Sequence, residues 1–220
     1  MIANKIMDKL WQDGNEFVSL DDLKKDSKNL YYNYNNMIEY VVSRGFLFSI
    51  LNDTYYVKSQ DEFNSVNNNN LKYSSLELIS KALKFLDVEN WYFGLYTALK
   101  FHDISFSNGN IDYLMFSNMI GAKPKITVSG QDCKFIRLES RLFKFGIIEK
   151  RNEVKYSDLE KTILDLMYLW HTNNMPNHKI KSGILKYFKL GKIDTIKKYI
   201  SHYPENIQQL VDEINAGILI

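Results

Sequence analysis

Residues 28–57 read KNLYYNYNNMIEYVVSRGFLFSILNDTYYV. The pattern predicts a helix over 30–43 with a short β-hairpin after it. Leu30, Tyr34, Met37, Ile38 and Val41 fall at i, i+4, i+7, i+8 and i+11, so on a helix they share a stripe about 100° wide. The opposite face would carry Tyr32, Asn35, Asn36, Glu39 and Ser43. Gly45 follows where a helix end needs positive φ. Two β-rich runs, 46–51 and 54–57, are then joined by Asn52-Asp53, residues that tolerate the left-handed turn of a hairpin. A helix with an amide- and aromatic-rich outer face, followed at once by a hairpin, is the pattern of the second half of a winged helix-turn-helix. That pattern points to DNA.

The residues before it supply the first half. Ile2, Ile6 and Leu10 share one face of a helix over 2–13, which Asp13-Gly14-Asn15 breaks. Phe17-Val18 reads as a short strand. Ser19 and Asp22 form a near capping box that starts a second helix at about Leu20. Residues 58–73 are polar, and the run Asn67 to Asn70 has no core-forming side chains. The chain is therefore divided into a winged module over 1–60, a linker over 61–72 and a second domain over 73–220.

The second domain opens with helical patterns at 74–87 and 90–103. Strand-like runs follow at 111–117, 125–129, 134–138, 142–149 and 154–156. No helices separate these strands, so a mainly antiparallel sheet is expected rather than a doubly wound one. A helical tail follows at about 158–171, 179–188, 193–201 and 204–215. The expected class is α+β: an N-terminal winged helix-turn-helix, then a mixed α/β domain with a mainly antiparallel sheet and a helical C-terminal tail.

Composition bounds the function. Of 220 residues 45% are hydrophobic, enough for a sizeable core, yet no apolar run approaches the length of a membrane span. The N-terminal residues alternate charged and apolar types, unlike a signal peptide. Cys133 is the only cysteine, which excludes an internal disulfide and a cysteine-rich zinc site. The expectation is a cytoplasmic protein with no membrane partner. Residues 1–60 hold seven Lys/Arg and eight Asp/Glu, whereas residues 71–220 hold 21 and 16. The DNA-facing module is thus not globally basic, and its non-specific affinity should be modest. Lysines such as Lys72, Lys81, Lys84, Lys123 and Lys125 are candidates for added phosphate contacts.

Candidate DNA contacts are Lys28, Tyr31, Tyr32, Asn33, Asn35 and Asn36, with Asn52 and Thr54 at the wing. Asn can pair bidentately with adenine, Tyr hydroxyls reach phosphate, and a lysine at a helix start meets phosphate naturally. The wing tip carries no cation, Asp53 would be repelled there, and Lys58 is the nearest positive charge. His102, His171, His178 and His202 are scattered without metal-ligand spacing, so neither a metal nor a cofactor is expected. P-loop, dinucleotide, nucleophile-elbow and zincin motifs are absent, and Asp112 lacks the paired carboxylate a nucleotidyltransferase needs. The chain is therefore not expected to be an enzyme.

Three segments resemble the abortive-infection antitoxin family AbiEi and its standalone transcriptional-regulator relatives. The first is YVVSRGFLFSILNDTYYV at 40–57. The second is WYFGLYTALKFHDI at 91–104, where Tyr92, Ala98, Leu99 and His102 match a family helix. Gly94, Thr97 and Asp103 depart from it. The third is YSDLEKTILDLMY at 156–168, where Ser157, Glu160, Lys161, Thr162 and Asp165 match a family signature. The resemblance implies a DNA-binding repressor of its own operon, acting on its promoter or operator; a dimer on that DNA is left open by the sequence. In many members it also implies neutralisation of a nucleotidyltransferase-type toxin of the AbiEii class. Direct contact with that toxin stays open. From the residues alone, Lys161 and Asp165 read as an i, i+4 surface ion pair at a helix start. A protein-interaction module remains the alternative.

Overall fold

A computed structural model describes residues 2–29, 34–51, 53–65, 71–104, 111–117, 125–150 and 153–218. The chain forms two compact units. One comprises Met1–Glu89 with Ile120–Asp132, and the other Asn90–Met119 with Cys133–Ile220.

The first unit runs α1 (Ile2–Gln12), β1 (Phe17–Ser19), α2 (Leu20–Asn29), α3 (Tyr34–Ser43), β2 (Leu47–Leu51), β3 (Thr54–Val57), α4 (Gln60–Asn64) and α5 (Ser75–Phe85). Its three strands lie in the order β1-β3-β2, and both pairings are antiparallel. Met37 and Val41 of the α3 stripe are buried with Ile6, Leu10, Val18, Leu23 and Leu47 in one apolar core. Gly45 takes φ +73° directly after α3, as the helix stop requires. Asp53 takes φ +55° in the β2–β3 turn. Of the 30–43 helix, the described part is Tyr34–Ser43; Leu30 to Asn33 lie outside the described residues.

The polar segment 61–72 is more structured than its composition suggests. Ser59 and Glu62 form a reciprocal capping box at the start of α4. Glu62 is buried and accepts from both Tyr56 Oη and the Lys72 backbone N–H, at 2.8 and 2.6 Å. Glu16 accepts from Tyr73 Oη at 2.6 Å and from Lys72 and Lys81 Nζ at 2.8 and 3.4 Å. These bonds tie α5 to the first unit, so the contact boundary falls after Glu89 rather than at 61–72. Asn67 to Asn70 lie outside the described residues.

β6 (Lys125–Val128) belongs to the residues of the first unit; the strands of the second unit are β4 (Trp91–Phe93), β5 (Ile111–Phe116), β7 (Gln131–Arg137, which begins at the end of the first unit's segment), β8 (Ile147–Glu149) and β9 (Lys155–Ser157). They lie in the order β7-β5-β4-β9-β8. β4 pairs antiparallel with β5 and parallel with β9, and β8 pairs antiparallel with β9. The helices are α6 (Leu95–Phe101), α7 (Leu159–Thr172), α8 (Asn177–Phe188), α9 (Ile193–Tyr199) and α10 (Glu205–Ile218). The molecule is thus α+β, with a mainly antiparallel sheet and a helical C-terminus.

Two assignments are corrected. The run 90–103 is not one helix. Trp91, Tyr92 and Phe93 form a buried strand, Gly94 is the N-cap position of the helix, and the helix begins only at Leu95. Bulky aromatics fit a central strand better than a helix start. The strand expected over 142–149 is likewise split: a 3-10 turn covers Ser140–Phe143, and only Ile147–Glu149 is extended.

Candidate nucleic-acid interface

The candidate interface is built on α2, α3 and the β2–β3 hairpin. Met37 and Val41 anchor α3 in the core, which leaves Asn36, Glu39 and Ser43 exposed on its outer side. Arg44 follows them, its guanidinium carbon 5.4 Å from the Tyr40 ring centre. Lys28 is exposed in the last turn of α2. Tyr31, Tyr32, Asn33 and Asn52 lie outside the described residues, as does the side chain of Asn35. Of the expected contacts, the described ones that face solvent are therefore Lys28 and Asn36.

Thr54 is a correction. It lies opposite Ser19 in the β1–β3 ladder and is fully buried, so its hydroxyl cannot reach a DNA groove. Strand alternation turns Thr54 inward and leaves the exposed turn to Asp53. Lys58 is not a wing-tip cation either. It is buried with its ammonium 4.9 Å from the Phe48 ring centre, and burial pulls its pKa down.

Local charge is largely self-compensated. Lys24 pairs with Asp21 at 3.2 Å, Lys25 with Asp22 at 3.6 Å, and Lys9 with Asp26. Among the other lysines proposed for phosphate, Lys72 and Lys81 are held by Glu16, and Lys125 by Asp132 at 2.6 Å. Lys123 lies outside the described residues. Burial pushes the Glu16 carboxyl up, but bonds from Lys72 and Tyr73 and the charge of Lys81 outweigh it and bring it down to about 2.

The first unit also holds an open cavity of about 530 Å³, walled by Trp11, Tyr56, Glu16, Asp61 and Glu62 among others. Both Glu16 and Glu62 are already occupied by donors from the chain itself. Among the described residues, no group of three or more His, Cys, Asp or Glu is arranged to hold a metal ion.

The residues that carry the family resemblance meet in the second unit. Asp165 accepts from Tyr92 Oη at 2.8 Å, Tyr203 Oη at 2.7 Å and Lys161 Nζ at 3.2 Å. Lys161 and Asp165 are both fully buried, which corrects the expected surface pair. The ammonium also lies 4.7 Å from the Tyr92 ring centre and 4.6 Å from that of Phe145. Burial lowers the Lys161 pKa despite the pull of Asp165. It raises the phenols of Tyr92 and Tyr203, with Asp165 adding to the effect.

The helix start around this core is equally self-contained. Asp158 caps α7 by accepting from the Lys161 backbone N–H at 2.8 Å. Thr162 Oγ1 donates to the Asp158 carbonyl at 2.6 Å, which leaves the Ser157 hydroxyl as donor in their 2.7 Å pair. Glu160 accepts from the backbone N–H of Lys192 at 2.8 Å and so fixes the start of α9. His102 Nε2 lies 3.0 Å from the Ser157 carbonyl; because a carbonyl only accepts, that nitrogen carries the proton. These groups bind one another. Tyr203, the partner that sequence reasoning missed, lies 38 residues from Asp165, with no local spacing to announce it.

No family model matches the chain, and no curated protein matches it in sequence. Solved structures that it resembles include the RV2827C protein from Mycobacterium tuberculosis. The TM-score is 0.56 and the identity 10%, over 96% of this chain and 75% of that one. At that identity the likeness is one of fold. Among the described residues, no helix is long and apolar enough to cross a membrane.

Proposed function

We propose that the first unit is a winged helix-turn-helix and that the protein is a sequence-specific DNA-binding transcriptional repressor. The observation that carries this reading is the element order α1-β1-α2-α3-β2-β3 closed by a β1-β3-β2 sheet, with the outer side of α3 exposed after its apolar side is spent on the core. α3 is then the recognition helix, its Asn35 and Asn36 reading base edges in the major groove and Lys28 meeting phosphate. The resemblance to AbiEi-type antitoxins extends the proposal to autoregulation of a toxin–antitoxin operon. The buried motif cluster supports a scaffold role for the signature residues within such a protein.

A second reading is favoured by one observation. Two of the three lysines of α2, Lys24 and Lys25, are paired with its own aspartates, which leaves a surface less basic than DNA-binding modules usually present. A protein partner for this face is the alternative. A mobility-shift titration of the full chain decides between them, with the duplex upstream of its gene against an unrelated duplex. The repressor reading predicts preference for the upstream duplex, lost when Tyr32, Asn35 and Asn36 are replaced together by Ala. No preference at low salt would favour the protein-partner reading.

A further inference from the structure

The segment from Asn177 to Lys198 holds seven lysines and one acidic residue, Asp194. It forms α8, the turn after it and α9. Ile180, Ile184, Tyr187 and Phe188 turn one side of α8 into the core. The remaining side presents Lys179, Lys186 and, just beyond the helix, Lys189 to solvent, and Lys192, Lys197 and Lys198 continue the exposed charge. Lys181 is paired with Glu213 and Lys186 lies over the Tyr187 ring. Among the described residues, no carboxylate stands within ion-pair distance of Lys179, Lys189, Lys192, Lys197 or Lys198.

Two leucines stand inside this field of charge. Leu190 is 61% exposed and Leu185 36% exposed, and Leu190 is the most exposed of the large hydrophobic residues described. A polyanion such as a nucleic-acid backbone would neutralise the lysines and leave these methyl groups in water. An anionic bilayer surface takes up both: lysine ammoniums meet the headgroups while leucine side chains enter the headgroup–acyl boundary.

We propose that the α8–α9 face docks on anionic lipid surfaces. This contact lies on the membrane rather than across it, so the lack of a spanning helix among the described residues does not bear on it. It revises the expectation of no membrane partner and is independent of the reading of α3.

The test is co-sedimentation of the full chain with vesicles of phosphatidylcholine alone and of phosphatidylcholine containing phosphatidylglycerol. The proposal predicts binding to the phosphatidylglycerol vesicles only. Lys189→Glu with Lys192→Glu should abolish it. Leu185→Ser with Leu190→Ser should weaken it at least about tenfold, because leucine burial in the interface is lost. Circular dichroism checks that both variants fold, and exposed positions make that the expected result. Absence of sedimentation at low salt would overturn the proposal. So would binding unchanged by the leucine substitutions, which would mark a plain polyanion surface; duplex DNA binding lost in the Lys189→Glu, Lys192→Glu variant would then identify nucleic acid as its partner.

Discussion

On α3, Asn36, Glu39 and Ser43 face solvent, Ser43 donating only to the Tyr40 carbonyl of its own helix, whereas on α7 Glu160, Lys161, Thr162 and Asp165 turn inward and bond to β4, to β9 and to the segments leading into α9 and α10. Both helices set polar residues beside an apolar stripe. The difference lies in what their polar groups meet. On α3 they are left available for a partner. On α7 the carboxylates of Glu160 and Asp165 accept from donors of the chain itself, so the same residue types become scaffold. Chemistry-bearing residues at helical spacing therefore mean a site only where the structure leaves them open.

The contrast can be broken most forcefully at Asp165. Asp165→Ala would strand the Lys161 ammonium and two phenols in the core. A loss of about 3–5 kcal/mol is expected, since removing one partner leaves an uncompensated buried charge. Urea unfolding of the full chain measures it, and a change below about 1 kcal/mol would mean the cluster is not closed as described. Gly146→Ala should come next. Gly146 sits at φ +61°, and an added Cβ would lie 2.8 Å from Lys161 Cβ. The strain and crowding should cost about 1–3 kcal/mol by the same assay.

Smaller effects sharpen the first unit. Ser59→Ala removes the cap of α4 and one donor to Glu62, for a cost of about 1 kcal/mol in thermal melting. Glu16 has its folded pKa at about 2, below the ordinary 4.5. Ionised Glu16 thus favours the folded unit at neutral pH, and that contribution fades as pH falls from about 4.5 to about 2. Glu16→Gln should flatten the acid limb of the stability curve, and an unchanged limb would show that its bonds to Lys72 and Tyr73 carry little.

The sequence made the first unit legible because its signals are local. Met37 and Val41 fall at the expected phase, Gly45 takes the positive φ that its position demanded, and Asn52-Asp53 marked the hairpin turn. Thr54 reads as a wing contact because it adjoins the turn; its pairing with Ser19 at the start of β3 puts it inside. The second unit was less legible because its determinants are distant. Spacing alone paired Lys161 with Asp165, but burial depends on Tyr92, 73 residues from Asp165, and on Tyr203. β4 reads as helix in the sequence since its three aromatics carry no alternation when both faces are covered. Glu62 reads as linker because two of its donors, Tyr56 and Lys72, lie outside α4; only Ser59, its capping-box partner, is local.

The central claim is that α3 enters the major groove, and the most direct measurement is photocrosslinking from its outer face. A photoreactive benzoylphenylalanine placed at position 36, in the full chain bound to the upstream duplex, should crosslink to DNA. The same group at position 85, on α5, should not. Crosslinks from position 85 with none from position 36, in a protein that still binds the duplex, would contradict the assignment of α3 as the recognition helix.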